Sequence, residues 1–335
     1  MRVAVDAMGG DHGPRVVVEG AMSAARDADL GVTLVGAADQ LRAEVARHPD
    51  ASRLDIRVVD AADVVGMGEQ PAEALRRKPQ TSIRVAAGLV AQGEAAALFS
   101  AGNTGATVLT AHAAFGVLRG ADRPALAATV PTTRGVAVLL DVGANAKCRP
   151  HHLVAFAVMG TVYARVMLDV AHPAVGVLSI GEEEAKGNEL TRAAHRLLRK
   201  TPLRFVGNVE ARDLYSGAAD VVVCDGFTGN VAIKVSEGIV AMVETLLGEE
   251  LSATQEAHGG YQLAREAFEH FHARVDYSEY GGAPLLGVGR PCVVGHGRSS
   301  AKAVRNAILM AHRFAVGGLV PRLEQELSLL QGTSS

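Results

Sequence analysis

The stretch from Asp220 to Gly238 constrains the fold most, because a buried strand, a glycine-rich turn and a helix start follow one another there without a gap. Its first residues, Asp220 to Cys224, include three adjacent valines, which is typical of a strand buried on both faces of a parallel sheet. The turn from Asp225 to Asn230 ends that strand. Apolar residues then recur at helical spacing, at Val231, Val235, Ile239 and Met242.

The same unit recurs along the chain, which predicts alternating strands and helices in a mostly parallel sheet with right-handed crossovers. Helical patterns cover the segments from Ala38 to Ala46 and from Pro150 to Leu168. Strand-like apolar runs occur at Val3–Val5, Val32–Val35, Ile56–Val59, Ala95–Phe99, Leu126–Val130, Val136–Leu140 and Val175–Ile180. The chain length allows one large domain or two modest ones.

Five strand ends carry glycine together with polar or charged side chains. In an open parallel sheet the loops at the carboxyl ends of the strands gather along one edge, so we expect these loops to share a ligand site. The candidate ligand-binding residues are Asp6, Gly9, Gly10, Asp11, Asn103, Thr104, Asp141, Asn145, Lys186, Asp225, Gly229, Asn230 and Lys234.

The turn at Asp225 favours an anion as the ligand. A helix start offers unpaired N–H groups and the positive end of the helix dipole, and Lys234, one turn inside the predicted helix, adds a full charge. For any one loop the alternative is a plain turn that joins a strand to a helix. A divalent cation is another alternative, and its ligands would be Asp6, Asp11, Asp141 and Asp225. The nearby lysine and the glycine-rich backbone make anion binding at least as easy to explain.

Composition excludes several classes of protein. With 48% hydrophobic residues but only 4% aromatic ones, the core must be built mainly from Ala, Val and Leu. The net charge of −3 gives no general attraction for nucleic acid or anionic lipid. The cysteines Cys148, Cys224 and Cys292 show neither metal-ligand spacing nor a disulfide framework, so we interpret them as structural. The sequence shows no signal peptide and no membrane span, so we expect a cytoplasmic protein that is soluble or at most peripheral to the membrane.

Nucleotide-binding and hydrolase motifs are missing from the sequence. No Gly-x-Gly-x-x-Gly follows a predicted strand, and Gly287-Val288-Gly289 is broken by Arg290 and Pro291. Neither a Walker sequence nor a Gly-x-Ser-x-Gly elbow occurs. These absences disfavour a nicotinamide enzyme, a nucleotidase and a serine hydrolase.

Eight phrases together resemble the bacterial acyl-carrier-protein:phosphate acyltransferase family of phospholipid synthesis. They run in order over almost the whole chain, and although each glycine turn alone is a weak signal, the set is specific. The phrases occupy residues Val5–Asp11, Gln70–Lys78, Ser100–Ala106, Leu140–Asn145, Ile180–Glu183, Gly207–Glu210, Cys224–Asn230 and Tyr277–Gly287.

This resemblance implies transfer of a long-chain fatty acyl group from acyl carrier protein to inorganic phosphate, with acyl phosphate as the product for phospholipid synthesis. It also implies a homodimer and a three-layer fold similar to the isocitrate and isopropylmalate dehydrogenases and to phosphotransacetylase. With this resemblance we predict a single α/β/α domain over residues 1–330. It is compatible with a contact to the membrane glycerol-3-phosphate acyltransferase, and it involves no cofactor, metal or nucleic acid. Two departures from the family pattern are Lys147, where an acidic residue is expected, and Arg298, where a small one is more usual.

The proposed reaction assigns roles to single residues. Phosphate is already a competent nucleophile, so the protein needs only a cradle and a polarised carbonyl. We expect Asn230, Lys234 and Lys186 to hold phosphate or the developing oxyanion, and Asn103, Thr104 and Asn145 to add hydrogen bonds. His296 is the candidate for proton transfer, because its reference pKa lies near 6.5. The alternatives are a solvated helix charge for each lysine and a structural capping role for His296.

Outside this site, two surface features suggest partners. The cations Arg76, Arg77 and Lys78 end a short predicted helix, and they serve either as a solvated helix end or as a patch for the acidic carrier protein. A second basic patch is Arg196, Arg199 and Lys200.

Two helices, Val235 to Leu251 and Gln262 to Val275, are predicted to form a hairpin (residues 235–275) joined through Ala257–Gly260. We expect the hairpin to serve the dimer rather than lipid, because its tip is acidic. The tail, residues 331–335, is predicted to be disordered.

Two other functions stay open on the sequence alone. One is a phosphotransacetylase that uses acetyl-coenzyme A, and the other is a non-catalytic module that binds the carrier protein.

Overall fold

The computed structural model describes residues 1–275 and 277–332 of the chain. Within these residues the strands form an 11-stranded sheet. The strands are β1 (Arg2–Asp6), β2 (Gly31–Gly36), β3 (Ile56–Asp60), β4 (Ala97–Ser100), β5 (Ala125–Thr132), β6 (Gly135–Leu140), β7 (Ala174–Ser179), β8 (Arg204–Glu210), β9 (Val221–Val223), β10 (Ala283–Leu286) and β11 (Cys292–Val294). The strands β8, β10 and β11 were not among those predicted.

Helices follow most of the strands, as the sequence pattern predicts. They are α1 (Gly13–Asp27), α2 (Ala38–Val45), α3 (Pro71–Arg77), α4 (Ser82–Ala91), α5 (Thr104–Phe115), α6 (Pro150–Met167), α7 (Glu189–Leu198), α8 (Gly226–Ala253), α9 (Gln255–Val275), α10 (Ala301–Val316) and α11 (Leu319–Gly332). Short 3₁₀ helices in the described part of the chain span Ala51–Arg53, Ala211–Tyr215 and Tyr277–Tyr280.

Both faces of the sheet are buried, which gives the three-layer α/β/α architecture. On β1, Val3 and Val5 belong to one core cluster, whereas Ala4 between them belongs to another. On β6, Val138 and Leu139 are divided between clusters in the same way. Because successive side chains of a strand point to opposite faces, helices must cover the sheet from both sides.

The strand order is β3-β2-β1-β4-β11-β10-β5-β6-β9-β7-β8, and it contains two parallel groups that run in opposite directions. Strands β3, β2, β1, β4 and β11 are parallel to one another, and so are β6, β9, β7 and β8. Between the groups, β10 and β5 each pair antiparallel with both neighbours.

The expectation that all five strand-end loops lie along one edge of the sheet is therefore wrong. Three successive antiparallel pairings separate β11 from β6, so the carboxyl ends of the two parallel groups lie at opposite edges. The physical reason is the hairpin between β5 and β6, which reverses the chain through two residues, whereas a parallel connection needs a long crossover.

The helical hairpin is present, but its joint lies elsewhere than predicted. Helix α8 ends at Ala253, Thr254 is extended, and α9 begins at Gln255, so residues 257–260 are helical. Gly259 and Gly260 lie inside α9, although each glycine is about 1 kcal/mol less favourable than alanine in a helix. In the described residues, no helix is long and apolar enough to cross a membrane. Of the predicted disordered tail, residues 331–332 belong to α11, and residues 333–335 lie outside the described residues.

Candidate functional site

The first group of predicted site residues lies where β1, β4 and β11 end side by side. Asp6, the last residue of β1, is buried and accepts hydrogen bonds from Ser100 Oγ at 2.8 Å and from the Met8 amide at 3.3 Å. Burial raises the pKa of Asp6, and the hydrogen bonds that it accepts oppose this. Its carboxylate joins two strand ends and is fully enclosed, so its role is to position the surrounding loops.

The glycines after β1 allow three loops to meet. A Cβ on Gly9 would lie 2.5 Å from the backbone nitrogen of Gly102, and Gly10 has a φ of +101°, which disfavours other residues. The amide of Asp11 donates to the carbonyl of Gly297 at 2.7 Å. The Asp11 side chain itself is exposed beside the His296 loop.

Asn103 caps α5 and also clamps a neighbouring loop. Its Oδ1 accepts from the Ala106 amide at 3.1 Å, and its Nδ2 donates to the carbonyls of Met67 and Glu69, each at 3.1 Å. Both ends of the amide are thus used in the fold, so the prediction that Asn103 binds substrate gains no support from its contacts. Thr104, the first residue of α5, is exposed.

The second group lies at the opposite edge, where β6 and β9 end. Asp141 is fully buried, and its Oδ1 accepts from the amides of Leu126, Gly143 and Ala144 at 2.9–3.1 Å. Its Oδ2 accepts from the amide and the side chain of Asn145 at 2.7 and 2.8 Å. Burial raises the pKa of Asp141, and these donors act against that increase. The carboxylate organises the loop and has little capacity left for a ligand.

Asn145 completes this loop. Its Nδ2 also donates to the carbonyl of Pro124 at 2.7 Å, and its own carbonyl accepts from the Gly226 amide at 2.8 Å. The side chain is buried. Asn145 therefore connects β6 to the first residue of α8.

The glycine-rich segment after β9 is the first turn of α8 rather than a separate turn. Asp225 caps the helix: its Oδ1 accepts from the Thr228 amide and its Oδ2 from the Thr228 hydroxyl, both at 2.9 Å. The interpretation of this helix start as a set of open N–H groups is thus wrong for the amides of Gly226 and Thr228. Lys234 lies eight residues past Gly226, more than two turns inside α8.

Small residues bring this first turn of α8 against the Asp141 loop. A Cβ on Gly229 would lie 1.9 Å from the carbonyl oxygen of Asp141, and one on Gly226 would lie 2.8 Å from Oδ2 of the same residue. Only glycine leaves room for this approach. The Gly229 contact therefore fixes where α8 starts and in which direction it leaves the sheet.

Helix α8 then connects the two edges. Asn230 lies beside Gly143 of the β6 loop, with its Oδ1 4.0 Å from where a Cβ on Gly143 would be. Lys234 lies one turn later on the same face of α8, and its Nζ is 2.7 Å from Nε2 of His296. The rise from Gly226 to Lys234 is about 12 Å at 1.5 Å per residue. The Asn230 amide and the Lys234 ammonium group thus lie one turn apart on one face of α8, and the ammonium group contacts the imidazole of His296.

His296 is half-buried and its surroundings are charged. Burial and then the ammonium group of Lys234 lower its pKa, with Arg298 acting in the same direction, while Glu237 and Asp11 raise it. The Arg298 amide contacts His296 Nδ1 at 3.2 Å. Sequence reasoning missed Glu237, whose Oε2 lies 3.2 Å from Lys234 Nζ; the i,i+3 spacing on the helix was the signal for it.

Lys186 lies apart from these residues. It is exposed in the loop after β7, where its side chain packs against Gly181 and its amide donates to the Glu183 carbonyl at 2.9 Å. In the strand order, β7 is separated from β6 by β9. The contacts of Lys186 are thus within its own loop, and its role in the site stays a prediction.

The predicted carrier-protein patch at the end of α3 is partly neutralised. Arg77 pairs with Glu73, and Lys78 Nζ donates to Glu69 Oε2 at 2.7 Å and to the Val64 carbonyl at 2.8 Å. Arg76 is exposed beside them. The solvated helix end therefore accounts for much of this charge.

The three thiols and one group of possible metal ligands bear on covalent and metal chemistry. Burial raises the pKa of the Cys148 and Cys292 thiols to about 12 and raises that of Cys224 well above its ordinary value, so a reactive thiolate is disfavoured. Within the described part of the chain, the group whose ligand atoms come close enough to hold a metal ion is Asp122, His151 and His152.

That group has another explanation. Asp122 pairs with His151 at 2.9 Å, and His152 Nδ1 accepts from the Arg149 amide at the start of α6 at 3.0 Å. The four aspartates of the alternative cation site do not gather, because Asp6 and Asp11 lie at one edge of the sheet and Asp141 and Asp225 at the other.

A cavity of about 730 Å³ lies elsewhere, lined by Phe115, Arg119 and Arg290 among others. Arg290 precedes β11 and His296 follows it. This cavity is therefore at the other end of the strand from the candidate site.

Comparison with known proteins agrees with this architecture. Residues 1–322 match the family described as "Fatty acid synthesis protein". The chain is 51% identical to a protein of Geobacter sp. (strain M21) named phosphate acyltransferase, over 98% of this chain and 93% of that protein. It is 48% identical to the protein of the same name from Acidobacterium capsulatum, over 97% of each.

Solved structures show the same fold at lower identity. A phosphotransacetylase from Streptococcus pyogenes matches with a TM-score of 0.63 and 16% identity over 94% of both chains. A 4-hydroxythreonine-4-phosphate dehydrogenase from Klebsiella pneumoniae matches with a TM-score of 0.50 and 15% identity, over 94% of this chain and 99% of that one. At these identities the likeness concerns the fold alone, and it agrees with the predicted similarity to phosphotransacetylase and dehydrogenase folds.

Proposed function

Because the chain belongs to the phosphate acyltransferase family, we propose that it transfers a long-chain fatty acyl group from acyl carrier protein to inorganic phosphate. Acyl transfer to phosphate is the reaction that the names of its relatives describe, and the chain is accordingly an acyltransferase. Acyl carrier protein as the donor and the long chain of the acyl group are the parts that we add. The acyl phosphate would then serve phospholipid synthesis.

One observation supports the proposal most directly: Asn230 and Lys234 lie one turn apart on α8, and Lys234 reaches His296. An ammonium group and an amide N–H suit a phosphate dianion or the oxyanion of a tetrahedral intermediate. Both side chains are exposed, so a ligand from solvent can reach them.

The reaction is direct attack of phosphate on the thioester. A phosphate oxygen forms a bond to the thioester carbonyl carbon, the bond from carbon to sulfur breaks, and the phosphate proton ends on the departing thiolate. Thioester and HPO₄²⁻ thus give acyl phosphate and free thiol with atoms and charge balanced. Direct attack requires no nucleophilic side chain, which suits a protein whose three thiols are kept protonated by burial.

We assign roles on this basis. Lys234 and Asn230 hold phosphate, Lys186 stabilises the developing oxyanion from the β7 loop, and His296 carries the proton from phosphate towards sulfur. The buried residues Asp6, Asp141 and Asn145 and the half-buried Asn103 keep the loops in place, while Thr104 and Asp11 are exposed.

The partners follow from the same proposal. The carrier protein would dock on exposed basic residues, with Arg76 and its neighbours at the end of α3 as the first surface to test. A second copy of the chain would cover the exposed apolar residues of the hairpin formed by α8 and α9. A contact with the membrane glycerol-3-phosphate acyltransferase would hand over the acyl phosphate.

A thioester assay tests the proposal. Purified protein is incubated with palmitoyl acyl carrier protein or with acetyl-coenzyme A, with and without phosphate, and both free thiol and acyl phosphate are measured. We expect phosphate-dependent thiol release from the carrier protein and little from acetyl-coenzyme A. Preference for acetyl-coenzyme A would assign the phosphotransacetylase alternative, and no phosphate-dependent release from either donor would favour a binding module.

A further inference from the structure

We propose that Asn208 and His195 are positioning residues for Lys186, the lysine that would stabilise the developing oxyanion. They act through the backbone carbonyl of Glu183, which lies in the same loop as Lys186. This role rests on the proposed function for the task of Lys186. Two buried side chains thus hold an exposed lysine in place from behind its loop.

A chain of three hydrogen bonds joins the two side chains to Lys186. His195 Nδ1 lies 3.0 Å from Asn208 Oδ1, and Asn208 Nδ2 donates to the Glu183 carbonyl at 2.8 Å. The same carbonyl accepts from the Lys186 amide at 2.9 Å. A carbonyl oxygen has two lone pairs, so it can accept both bonds at once. Asn208 therefore holds the turn that carries Lys186.

The Glu183 carbonyl determines how the two side chains are oriented. Because a carbonyl only accepts, the NH₂ group of Asn208 must face Glu183, and its Oδ1 must face His195. The imidazole therefore donates from Nδ1. This direction holds both for a neutral imidazole with its proton on Nδ1 and for an imidazolium. Glu184 Oε2 lies 3.9 Å from Nε2 of His195, beyond hydrogen-bond distance, so it does not compete for Nδ1.

Both positioning side chains are buried, whereas Lys186 is exposed. His195 is 6% exposed and comes from α7, and Asn208 is 8% exposed and comes from β8. Phe205 packs edge-on against the imidazole, with the ring centroids 5.0 Å apart. Loss of one partner leaves a buried polar group unsatisfied, so the arrangement is strongly specified. The loop thus has a base built on regular elements.

The neighbouring contacts of this loop are made by exposed groups. Arg199 donates to Glu184 Oε2 at 2.7 Å, and Arg192 donates to the Gly187 carbonyl at 3.0 Å. Both arginines are exposed, and exposed ion pairs contribute little to stability. The buried contact from Asn208 is therefore the one that we expect to determine where the lysine stands.

Preorganisation gives such support a function. A cation stabilises developing charge best when it is already in position, and a misplacement of about 1 Å can cost about 10²-fold in rate. The side-chain stem of Lys186 packs against Gly181, where a Cβ would lie 2.9 Å from Cγ of the lysine. The amide and the stem of Lys186 are thus both held within the loop.

The test is a double-mutant cycle on turnover, measured as phosphate-dependent thiol release from the acyl-carrier-protein thioester. Asn208→Ala should lower kcat by about 10- to 100-fold with little change in the KM for phosphate, because the oxyanion exists only in the transition state. In a protein that already carries Lys186→Ala, the same substitution should have little further effect. Thr161→Ala, which removes a buried hydrogen bond to a carbonyl of α6, is the control and should leave kcat unchanged.

Two substitutions of His195 separate hydrogen bonding from packing, and they keep the test open if Asn208→Ala is unstable. Asparagine keeps an N–H donor near the position of Nδ1, whereas leucine fills more of the buried space and has no donor. We expect the kcat of His195→Asn to exceed that of His195→Leu by up to about tenfold. An equal or higher kcat in His195→Leu would overturn the role of His195.

Hydrogen exchange of the Lys186 amide provides an arm that needs no acyl donor. NMR should show faster exchange of this amide in Asn208→Ala than in wild type, with the amides of α6 unchanged. Unchanged exchange, or an equal fold-loss of kcat with and without Lys186, would overturn the proposal. If the wild type transferred no acyl group, the proposed function would fail, and the exchange of the Lys186 amide would still decide whether Asn208 holds this loop. The two failures are therefore seen separately.

Discussion

At the scale of single residues, the polar side chains at the strand ends are of two kinds. Asp141 and Asn103 have their polar atoms occupied by hydrogen bonds within the fold. Asn230 and Lys234 are exposed along α8. The first kind holds the loops in position, and the second kind is available to a substrate. Substitution should separate the two, because the first affects stability and the second turnover.

Asp141→Asn should destabilise the fold. The new NH₂ group would face amide donors that now point at a carboxylate oxygen, and at least one buried donor would lose its acceptor. We expect a loss of about 2–4 kcal/mol in the free energy of unfolding, measured by urea denaturation. The control is Asp39→Asn, an exposed residue that pairs with Arg42 on the surface, and it should show no measurable change. Equal midpoints for the two variants would contradict the role given to Asp141.

Asn230→Ala and Lys186→Ala should lower turnover and leave the fold intact. Loss of one preorganised donor to developing charge typically costs about 10² to 10³ in rate. Turnover is measured as phosphate-dependent thiol release, and folding by thermal unfolding. Lys302→Ala, which removes a surface lysine paired with Glu279, is the control. Wild-type turnover in both site variants would remove these residues from the active site.

At the scale of elements, the start of α8 determines the geometry of the site. The helix can begin at Gly226 because Gly226 and Gly229 have no side chains to hold it away from the Asp141 loop. Tyr215 adds a contact to Ser236 further along α8. The position of Lys234 relative to His296 thus depends on how closely the first turn of α8 approaches β6.

Gly229→Ala should weaken the fold and displace the site, whereas Gly238→Ala on the same helix should not. A Cβ at 229 would meet the Asp141 carbonyl at 1.9 Å, so the helix must shift, and overpacking of this kind costs about 1–3 kcal/mol. A Cβ at 238 meets nothing within 4 Å, and alanine there should add up to about 1 kcal/mol through helix propensity. Unfolding and turnover measured on both variants check this, and equal effects would exclude the close approach as the cause.

The sequence predicts the elements well and their spatial relations less well. The strand at Val221 and the helix through Met242 follow local patterns, and the structure agrees with them in kind. Asp225 was predicted to begin a turn, and the structure makes it the cap of α8. The direction of the sheet depends on pairings between distant segments, such as Leu285 with Leu126, which no local pattern contains. For the same reason, Lys234 and His296 were both predicted as site residues, but their 2.7 Å contact was not.

At the scale of the whole molecule, the two parallel groups of strands present their loops at opposite edges, and α8 joins them. The net charge of −3 makes the overall field mildly negative, so an acidic partner must find a local basic surface. Two candidate surfaces are the end of α3 with Arg76, and the end of α7 with Arg196, Arg199 and Lys200, where Arg199 pairs with Glu184.

Charge reversal at the end of α3 tests the first surface. Arg77 and Lys78 are paired within the fold, so Arg76→Glu is the sharper variant. We expect a higher KM for acyl carrier protein with little change in kcat, and a smaller defect at high salt, because rim charges act mainly on encounter and are screened. Arg42→Glu on α2 is the control. Unchanged kinetics at low salt would place the docking surface elsewhere, and the Arg196 surface would be tested next.

The hairpin of α8 and α9 exposes more apolar surface than a lone chain needs. Leu246 on α8 is 52% exposed and Leu263 on α9 is 94% exposed, and further apolar residues of α8 are exposed beside them: Val235, Ile239, Met242 and Val243. Phe268 packs against Tyr261 inside the hairpin and is thus used within one chain. A second copy related by two-fold symmetry would cover this surface from both sides. The acidic residues Glu249 and Glu250 near the end of α8 would be repelled by anionic headgroups.

We therefore expect a dimer that depends on Leu246 and Leu263. Replacing both with Asp places charges in the surface that a partner copy would bury, and an unpaired buried charge is strongly unfavourable, so the variant should elute as a monomer or aggregate. Size-exclusion chromatography with light scattering measures this, with Leu109→Asp on α5 as an exposed leucine outside the hairpin. Liposome flotation of the wild type should be weak. A dimer that persists in the double variant would contradict the dimer role of this surface. Strong flotation that is lost with the same substitutions would assign the surface to lipid instead, because charges also disrupt a membrane-bound apolar face.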